Sequence, residues 1–139
     1  MGRMAPRYFT PEEANAALDE LRPLAEQMVE YRRALVAAQE ERATLGARVV
    51  TNGGDLTPSD FADADDGLEQ AASALARSVE QIQAHGVLIK DLDQGLLDFP
   101  SLRDGEEVLL CWQLGEERVE FWHGTEEGFA GRKPLEDVE

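Results

Sequence analysis

The spacing of apolar positions changes once along this chain, near residue 86, and that change divides it into two halves. Before it the period is helical. Thr10-Pro11-Glu12-Glu13 is a helix start: Thr10 can accept from a free N–H, Pro11 suits the first helical position, and Glu13 completes a reciprocal capping pair. Ala14, Ala17, Leu21, Leu24, Met28, Tyr31, Leu35, Ala38 and Leu45 then recur at intervals of three and four, with Arg42 interrupting the seam. Pro23 lacks the N–H that would reach the Asp19 carbonyl. The pattern therefore predicts a short helix over 11–22, a kink or break, and a long helix to about residue 48. Thr51-Asn52-Gly53-Gly54-Asp55 reads as a loop. Thr57-Pro58-Ser59-Asp60 repeats the capping logic, and a second seam runs through Phe61, Ala64, Leu68, Ala71, Leu75, Ser78, Val79 and Ile82 to a stop at His85-Gly86. Residues 23–48 and 58–85 each make a rod of about 40 Å at 1.5 Å per residue, which predicts an antiparallel helical hairpin.

After Gly86 the runs are short and strand-like. Val87–Lys90 precedes a turn at Asp93-Gln94-Gly95, and Leu96–Phe99 follows, closed by Pro100. Arg103-Asp104-Gly105 is a further turn, and Val108–Trp112 and Val119–His123 flank Leu114-Gly115-Glu116-Glu117 as a hairpin. The predicted class is α+β: a long antiparallel helical hairpin, a short N-terminal helix and a small C-terminal antiparallel β-meander of three or four strands. One domain is expected over 1–139, with a helical half at about 10–86 and a strand-rich half at about 87–135. The apolar stripe on two long helices exceeds what a small sheet covers, so a homodimer through those helices is expected.

Composition narrows the partners. The 139 residues are 42% hydrophobic, enough to bury a core, and carry a formal net charge of −16. Residues 1–48 hold seven basic and eight acidic side chains, whereas the remainder holds six basic and 21 acidic. The arginines of the first helix (Arg22, Arg32, Arg33, Arg42 and Arg48) are interleaved with Glu26, Glu30, Glu40 and Glu41, so no basic stripe forms. Neither nucleic acid nor an anionic membrane is an expected partner; acidity slightly favours a basic protein. No apolar run has membrane-spanning length, and Met1–Arg7 has no apolar stretch behind its arginines, so a cytoplasmic location without a secretory signal is expected. The single cysteine, Cys111, excludes an intrachain disulfide.

Candidate chemistry gathers on the last hairpin, which holds Cys111, both tryptophans and one of two histidines. A two-residue turn at Gly115-Glu116 pairs positions whose numbers sum to 231; Cys111 then faces Glu120, and His123 lies on the other face. A three-residue turn moves the sum to 232, pairs Cys111 with Phe121 and Leu109 with His123, and puts Cys111 and His123 diagonally on one face. Only that slip permits a divalent transition metal such as zinc, with Asp91, Asp98, Glu126 or Glu127 adding a carboxylate. A Cys111/His123 nucleophile pair is the enzymatic alternative, although no oxyanion-hole signal accompanies it. Trp112, Phe121 and Trp122 suit sheet packing, with one aromatic available to line a partner groove. Asp91, Asp93 and Asp98 form a loose carboxylate group without the spacing of a calcium loop. Asp60, Asp63, Asp65, Asp66 and Glu69 favour a helix dipole by position alone. Arg132, in Gly128-Phe129-Ala130-Gly131-Arg132, can bind an anion or pair with a nearby carboxylate.

Several of these segments together resemble a family, domain of unknown function 2203. They are Tyr8-Phe9-Thr10-Pro11-Glu12-Glu13-Ala14-Asn15, Lys90-Asp91-Leu92-Asp93, Asp98-Phe99-Pro100, Cys111-Trp112, Leu114-Gly115-Glu116, Trp122-His123 and Gly128-Phe129-Ala130-Gly131-Arg132. The resemblance spans almost the whole chain. It implies a small bacterial cytosolic protein and brings no activity with it. It also implies that the Cys111-Trp112, Trp122-His123 and Gly128–Arg132 segments share one site or fold element, and Asp91, Asp98, Cys111, His123, Glu127 and Arg132 fit the motifs as they stand. The leading expectation is a non-enzymatic interaction or regulatory module. The alternative is a metal- or cofactor-binding protein using Cys111, His123 and nearby carboxylates, with Trp112, Trp122 and Arg132 as further ligand or partner candidates.

Overall fold

Two reciprocal caps start the helices where the sequence places them. The computed structural model describes residues 7–52 and 57–135. Thr10 Oγ1 accepts from the Glu13 N–H and Glu13 Oε1 accepts from the Thr10 N–H, each at 3.0 Å, and α1 runs from there over Pro11–Asn52. Thr57 and Asp60 make the same exchange before α2, Pro58–Gln83. Gly86, just beyond α2, turns the chain out at φ 86°.

The break expected at Pro23 does not occur: α1 is one helix of 42 residues, running on through Thr51 and Asn52, which had been assigned to a loop. The rest of that expected loop, Gly53-Gly54-Asp55, lies outside the described residues. Asp19 and Pro23 are one turn apart and both exposed, so the carbonyl that Pro23 leaves without a donor faces water. On the opposite side Leu21, Ala25 and Met28 are fully buried and Val29 nearly so. An interior proline costs about 3 kcal/mol, and burying side chains of the size of Leu21 and Met28 contributes roughly 1.5–3 kcal/mol each, so packing holds the axis through the proline.

The α1 rod, about 63 Å at 1.5 Å per residue, is longer than the 26-residue α2 at about 39 Å. They run antiparallel: Ser78 Oγ donates to the Leu24 carbonyl at 3.5 Å, and Arg42 meets Asp65 at 2.7 Å with its guanidinium 4.8 Å from the Phe61 ring. Arg42 thus bridges the seam it was expected to break. Tyr31 and Leu35 still pack against the core, but from Val36 to Ala74 no described side chain is buried, so that end of the hairpin is an arm standing away from the core. Leu18 and Ala25 join the core although neither is in the predicted seam, because this end of α1 packs on α2 and the sheet together.

The sheet is β1 (Leu88–Asp91), β2 (Leu96–Arg103), β3 (Glu106–Gln113), β4 (Phe121–Gly124) and β5 (Lys133–Pro134), antiparallel and in chain order. It has five strands rather than three or four, because the last segment returns to pair Phe121 with Pro134 and Trp122 with Lys133. Pro100 does not end its strand. The Phe9 N–H donates to the Pro100 carbonyl at 2.7 Å, so backbone polar groups at Pro100 point away from β3, and the ladder needs no N–H there. Asp104 (φ 55°) and Gly105 (φ 82°) form the two-residue turn between β2 and β3, both left-handed as the strand twist requires. Leu97, Phe99, Leu110 and Trp112 point toward the helices, forming one core with Phe9, Leu18, Leu21, Met28 and Ile82.

Replacing Pro23 with Ala restores an N–H for the Asp19 carbonyl at an exposed position. It is expected to raise unfolding stability by about 1–3 kcal/mol, read as a higher urea midpoint at unchanged slope. A lowered midpoint would show that the helix uses the proline's geometry.

Candidate metal centre

Strand alternation together with the register of β2, β3 and β4 brings three polar side chains together on the sheet face turned away from the helices. Asp98 of β2 lies opposite Cys111 of β3, and Leu109 of β3 lies opposite His123 of β4. This is the register in which partner numbers sum to 232, and it puts Cys111 and His123 on one face. The connection opens with a β-turn, the Glu116 N–H donating to the Gln113 carbonyl at 2.9 Å with Gly115 at φ 109°, but residues 117–120 separate that turn from β4, so the turn alone does not set the register. The connection after Gln113 is fastened by side chains: Trp112 Nε1 donates to the Glu116 carbonyl at 3.0 Å, and the Gln113 N–H donates to Glu116 Oε1 at 2.8 Å. Arg22, read from sequence as part of an exposed helix face, donates to the Glu116 and Glu117 carbonyls at 2.9 and 2.8 Å.

Asp98, Cys111 and His123 are 1%, 0% and 2% exposed, and one ligand-type atom from each lies within 4.8 Å of the others. His123 Nδ1 sits 2.8 Å from the Gly124 carbonyl, which can only accept, so Nδ1 carries the hydrogen. Nε2 then faces Asp98 Oδ2 at 3.2 Å, and a proton or a cation must lie between them. Asp98 Oδ1 is buried with no hydrogen-bond partner. Burial pushes the pKa of Asp98 above the usual carboxylate range, against the lowering effect of His123. Burial, followed by the charge of Asp98, pushes the Cys111 thiol up to about 12. A weak thiol–carboxylate interaction enters both shifts without giving Oδ1 a hydrogen bond of ordinary geometry.

Charged side chains rim the cluster. Arg132 Nη2 lies 2.8 Å from both Glu116 carboxylate oxygens, and its guanidinium stacks 4.0 Å from the Phe121 ring and 4.3 Å from the Phe129 ring. Its positive charge draws the pKa of the Cys111 thiol down, and the negative charge of Glu116 pushes it up. Glu127 Oε1 accepts from the Gly124 N–H and from Lys133 Nζ, both at 2.8 Å; Lys133 leads in holding its carboxyl below the usual range. Gly131 has room for no side chain, since a Cβ there would meet Glu127 Cβ at 2.9 Å. The segment after β4 is thus drawn back against the strand.

The other expected residues fall elsewhere. Asp91 accepts from the Asp93 and Gln94 N–H groups and holds the β1–β2 turn, and Asp93 pairs with Arg32. Trp112 is fully buried on the helix-facing side. Trp122 is half-buried, with Arg103 and Lys133 over its ring at 4.5 and 4.7 Å. Glu126 is exposed. Sequence reasoning missed Glu116 as the anchor of Arg132 and the Gly124 carbonyl as the group that orients His123. Glu116 stood inside a quoted motif, but nothing in a sequence shows a pairing across 16 residues.

A nucleophilic role for Cys111 does not suit this site: at neutral pH a thiol pushed up to about 12 holds almost no thiolate. The model of a family described as Uncharacterized conserved protein (DUF2203) matches residues 7–135. No curated protein and no solved structure matches the chain. Titrated with a disulfide reagent at pH 7–8, the folded metal-free protein is expected to give no fast thiol reaction, and the urea-unfolded chain one thiol per molecule. Rapid labelling of the folded protein would show Cys111 to be open and activated.

Proposed function

We propose that this chain, which belongs to the uncharacterised conserved family DUF2203, is a transition-metal-binding protein whose centre is Asp98, Cys111 and His123. One observation carries this reading: a buried His nitrogen and a buried carboxylate oxygen face each other as acceptors, with a thiol alongside and a second carboxylate oxygen left without a donor. A proton between Nε2 and Oδ2 answers the first part of that arrangement, but leaves Oδ1 unsatisfied. A divalent cation answers both by charge. The 3.2 Å separation also fits a tetrahedral centre, where metal–ligand bonds near 2.0–2.1 Å put neighbouring N and O ligands about 3.3 Å apart. One nitrogen, one sulfur and one oxygen donor suit zinc better than magnesium or calcium, which take oxygen ligands. The hydrogen bond from Nδ1 to the Gly124 carbonyl is the support that a metal-bound imidazole commonly has. Coordination displaces the thiol proton, so burial of Cys111 does not oppose it.

A second reading concerns the arm. Leu45, Phe61 and Leu68 are only half-buried along a stretch with no buried side chain, which favours association with a second copy through the long helices. This is the interaction role expected from sequence, and it is independent of the metal.

Purified protein stripped with chelator is expected to bind one zinc or cobalt ion per chain. Cobalt should give the intense charge-transfer absorption of a thiolate ligand. Cys111→Ser should remove that band, and His123→Ala or Asp98→Ala should weaken binding by at least about a hundredfold. Metal at 100 times its Kd should raise stability by about 2.7 kcal/mol. Absence of stoichiometric binding, or binding that survives Cys111→Ser and His123→Ala together, excludes this centre. For the arm, sedimentation equilibrium at micromolar concentration should report a dimer, weakened by Leu45→Glu; a monomer removes that reading.

A further inference from the structure

We infer that the centre takes a small oxyanion as its fourth ligand, held from the far side by Arg132. The inference rests on the metal reading above and goes beyond it, because it names what the protein presents the metal to. Among the described residues, two buried side-chain polar atoms lack a hydrogen-bond partner: Asp98 Oδ1 and Arg132 Nε. One is an acceptor and the other a donor, and each left unsatisfied costs about 1–3 kcal/mol. They belong to one neighbourhood: Asp98, Cys111 and Phe121 are successive cross-strand partners on β2, β3 and β4, and the Arg132 guanidinium lies 4.0 Å from the Phe121 ring. A cation on the three ligands satisfies Asp98 by charge but does nothing for an N–H donor. Arg132 needs an acceptor, and the protein's nearby carboxylate, Glu116, already engages Nη2 rather than Nε.

The placement of Arg132 is built and not incidental. Its side chain is 13% exposed, its guanidinium lies against two aromatic rings at 4.0 and 4.3 Å, and Glu116 fixes its orientation. Flat rings on the guanidinium faces leave its edge for hydrogen bonding, which suits a planar or tetrahedral oxyanion. Three protein ligands leave one position open on a tetrahedral metal, as at zinc sites that exchange a bound ligand. An oxyanion such as a carboxylate or phosphate can place one oxygen on the metal and a second on the Arg132 donor. A halide has a single atom and cannot bridge. With Asp98 and the Cys111 thiolate opposing a divalent ion the centre itself is neutral, and the Arg132–Glu116 pair adds no net charge, so an oxyanion is favoured by the open Nε donor and not by surplus positive charge.

The test uses the full chain loaded with one cobalt ion. Acetate, inorganic phosphate and chloride are titrated separately while the visible spectrum is recorded. Acetate or phosphate is expected to shift the bands saturably, with chloride at least about tenfold weaker. Arg132→Met should weaken the oxyanion response by at least about tenfold, and Arg132→Lys should recover part of it. If cobalt binds through Cys111 and His123 but neither oxyanion changes the spectrum, or Arg132→Met responds like the unaltered protein, the anion inference is overturned and the metal centre stands. If cobalt does not bind, both are overturned. The titration of the unaltered chain decides the matter even if the Arg132 variants do not fold.

Discussion

Two arginines fasten the connection between β3 and β4, and the placement of His123 beside Cys111 and Asp98 on the outer sheet face follows from it. Arg22 reaches from α1 to the carbonyls of Glu116 and Glu117, and Arg132 reaches from the C-terminal segment to the Glu116 carboxylate. The Trp112 indole holds the same carbonyl from below. With the connection tied on both sides, β4 cannot slide by one residue along β3. A slip of one position would turn His123 toward the helices and carry Trp122 outward, because side chains alternate strictly along a strand. The contact of Cys111 with His123 is therefore a property of a clamped loop and not of a particular turn type.

The face that results is turned away from α1 and α2, yet Asp98, Leu109, Cys111 and His123 are as buried as the hydrophobic core. Burying a carboxylate and an imidazole from water costs several kcal/mol unless each finds a partner. Here the pairing is incomplete: Oδ2 has His123, and Oδ1 has nothing. A fold under no functional demand is better served by apolar residues at these three positions. The acid, thiol and imidazole that take their place lie within 4.8 Å of one another, and on that grouping the proposed metal centre rests.

The rest of the molecule supports that face from behind. The near half of α1 and the end of α2 form one core with the helix-facing residues of the sheet; the Phe9–Phe99 edge-to-face pair at 5.1 Å belongs to that core, and the Phe9 backbone covers the edge of β2 at Pro100. The far half of the hairpin takes no part in this core. Its ion pair between Arg42 and Asp65 lies partly in solvent and contributes no more than about 1 kcal/mol, so the arm depends on its apolar seam.

Local chemistry was legible in the residues. Thr10, Glu13, Thr57 and Asp60 name their own hydrogen bonds within one turn, seams at three and four announce helices, and Asp104-Gly105 announces a hairpin turn. The α+β class followed from these alone. Pro23 and Pro100 misled for a single reason: a proline disrupts an element only where its missing N–H is needed, and both prolines face away from the hydrogen bonds that matter. That orientation is tertiary. So is the fifth strand, a two-residue segment too short to have a period. The candidate site divides in the same way. Cys111, His123 and Asp98 could be named as donors from their side chains, but two registers stood open, one uniting Cys111 with His123 and one separating them. Only the folded chain chose between them, through contacts from Arg22 and Arg132 that lie 94 and 16 residues from Glu116. Short-range hydrogen bonds and periodicity are written in the order of residues. Which faces meet is decided by distant side chains, and no spacing along the chain encodes that.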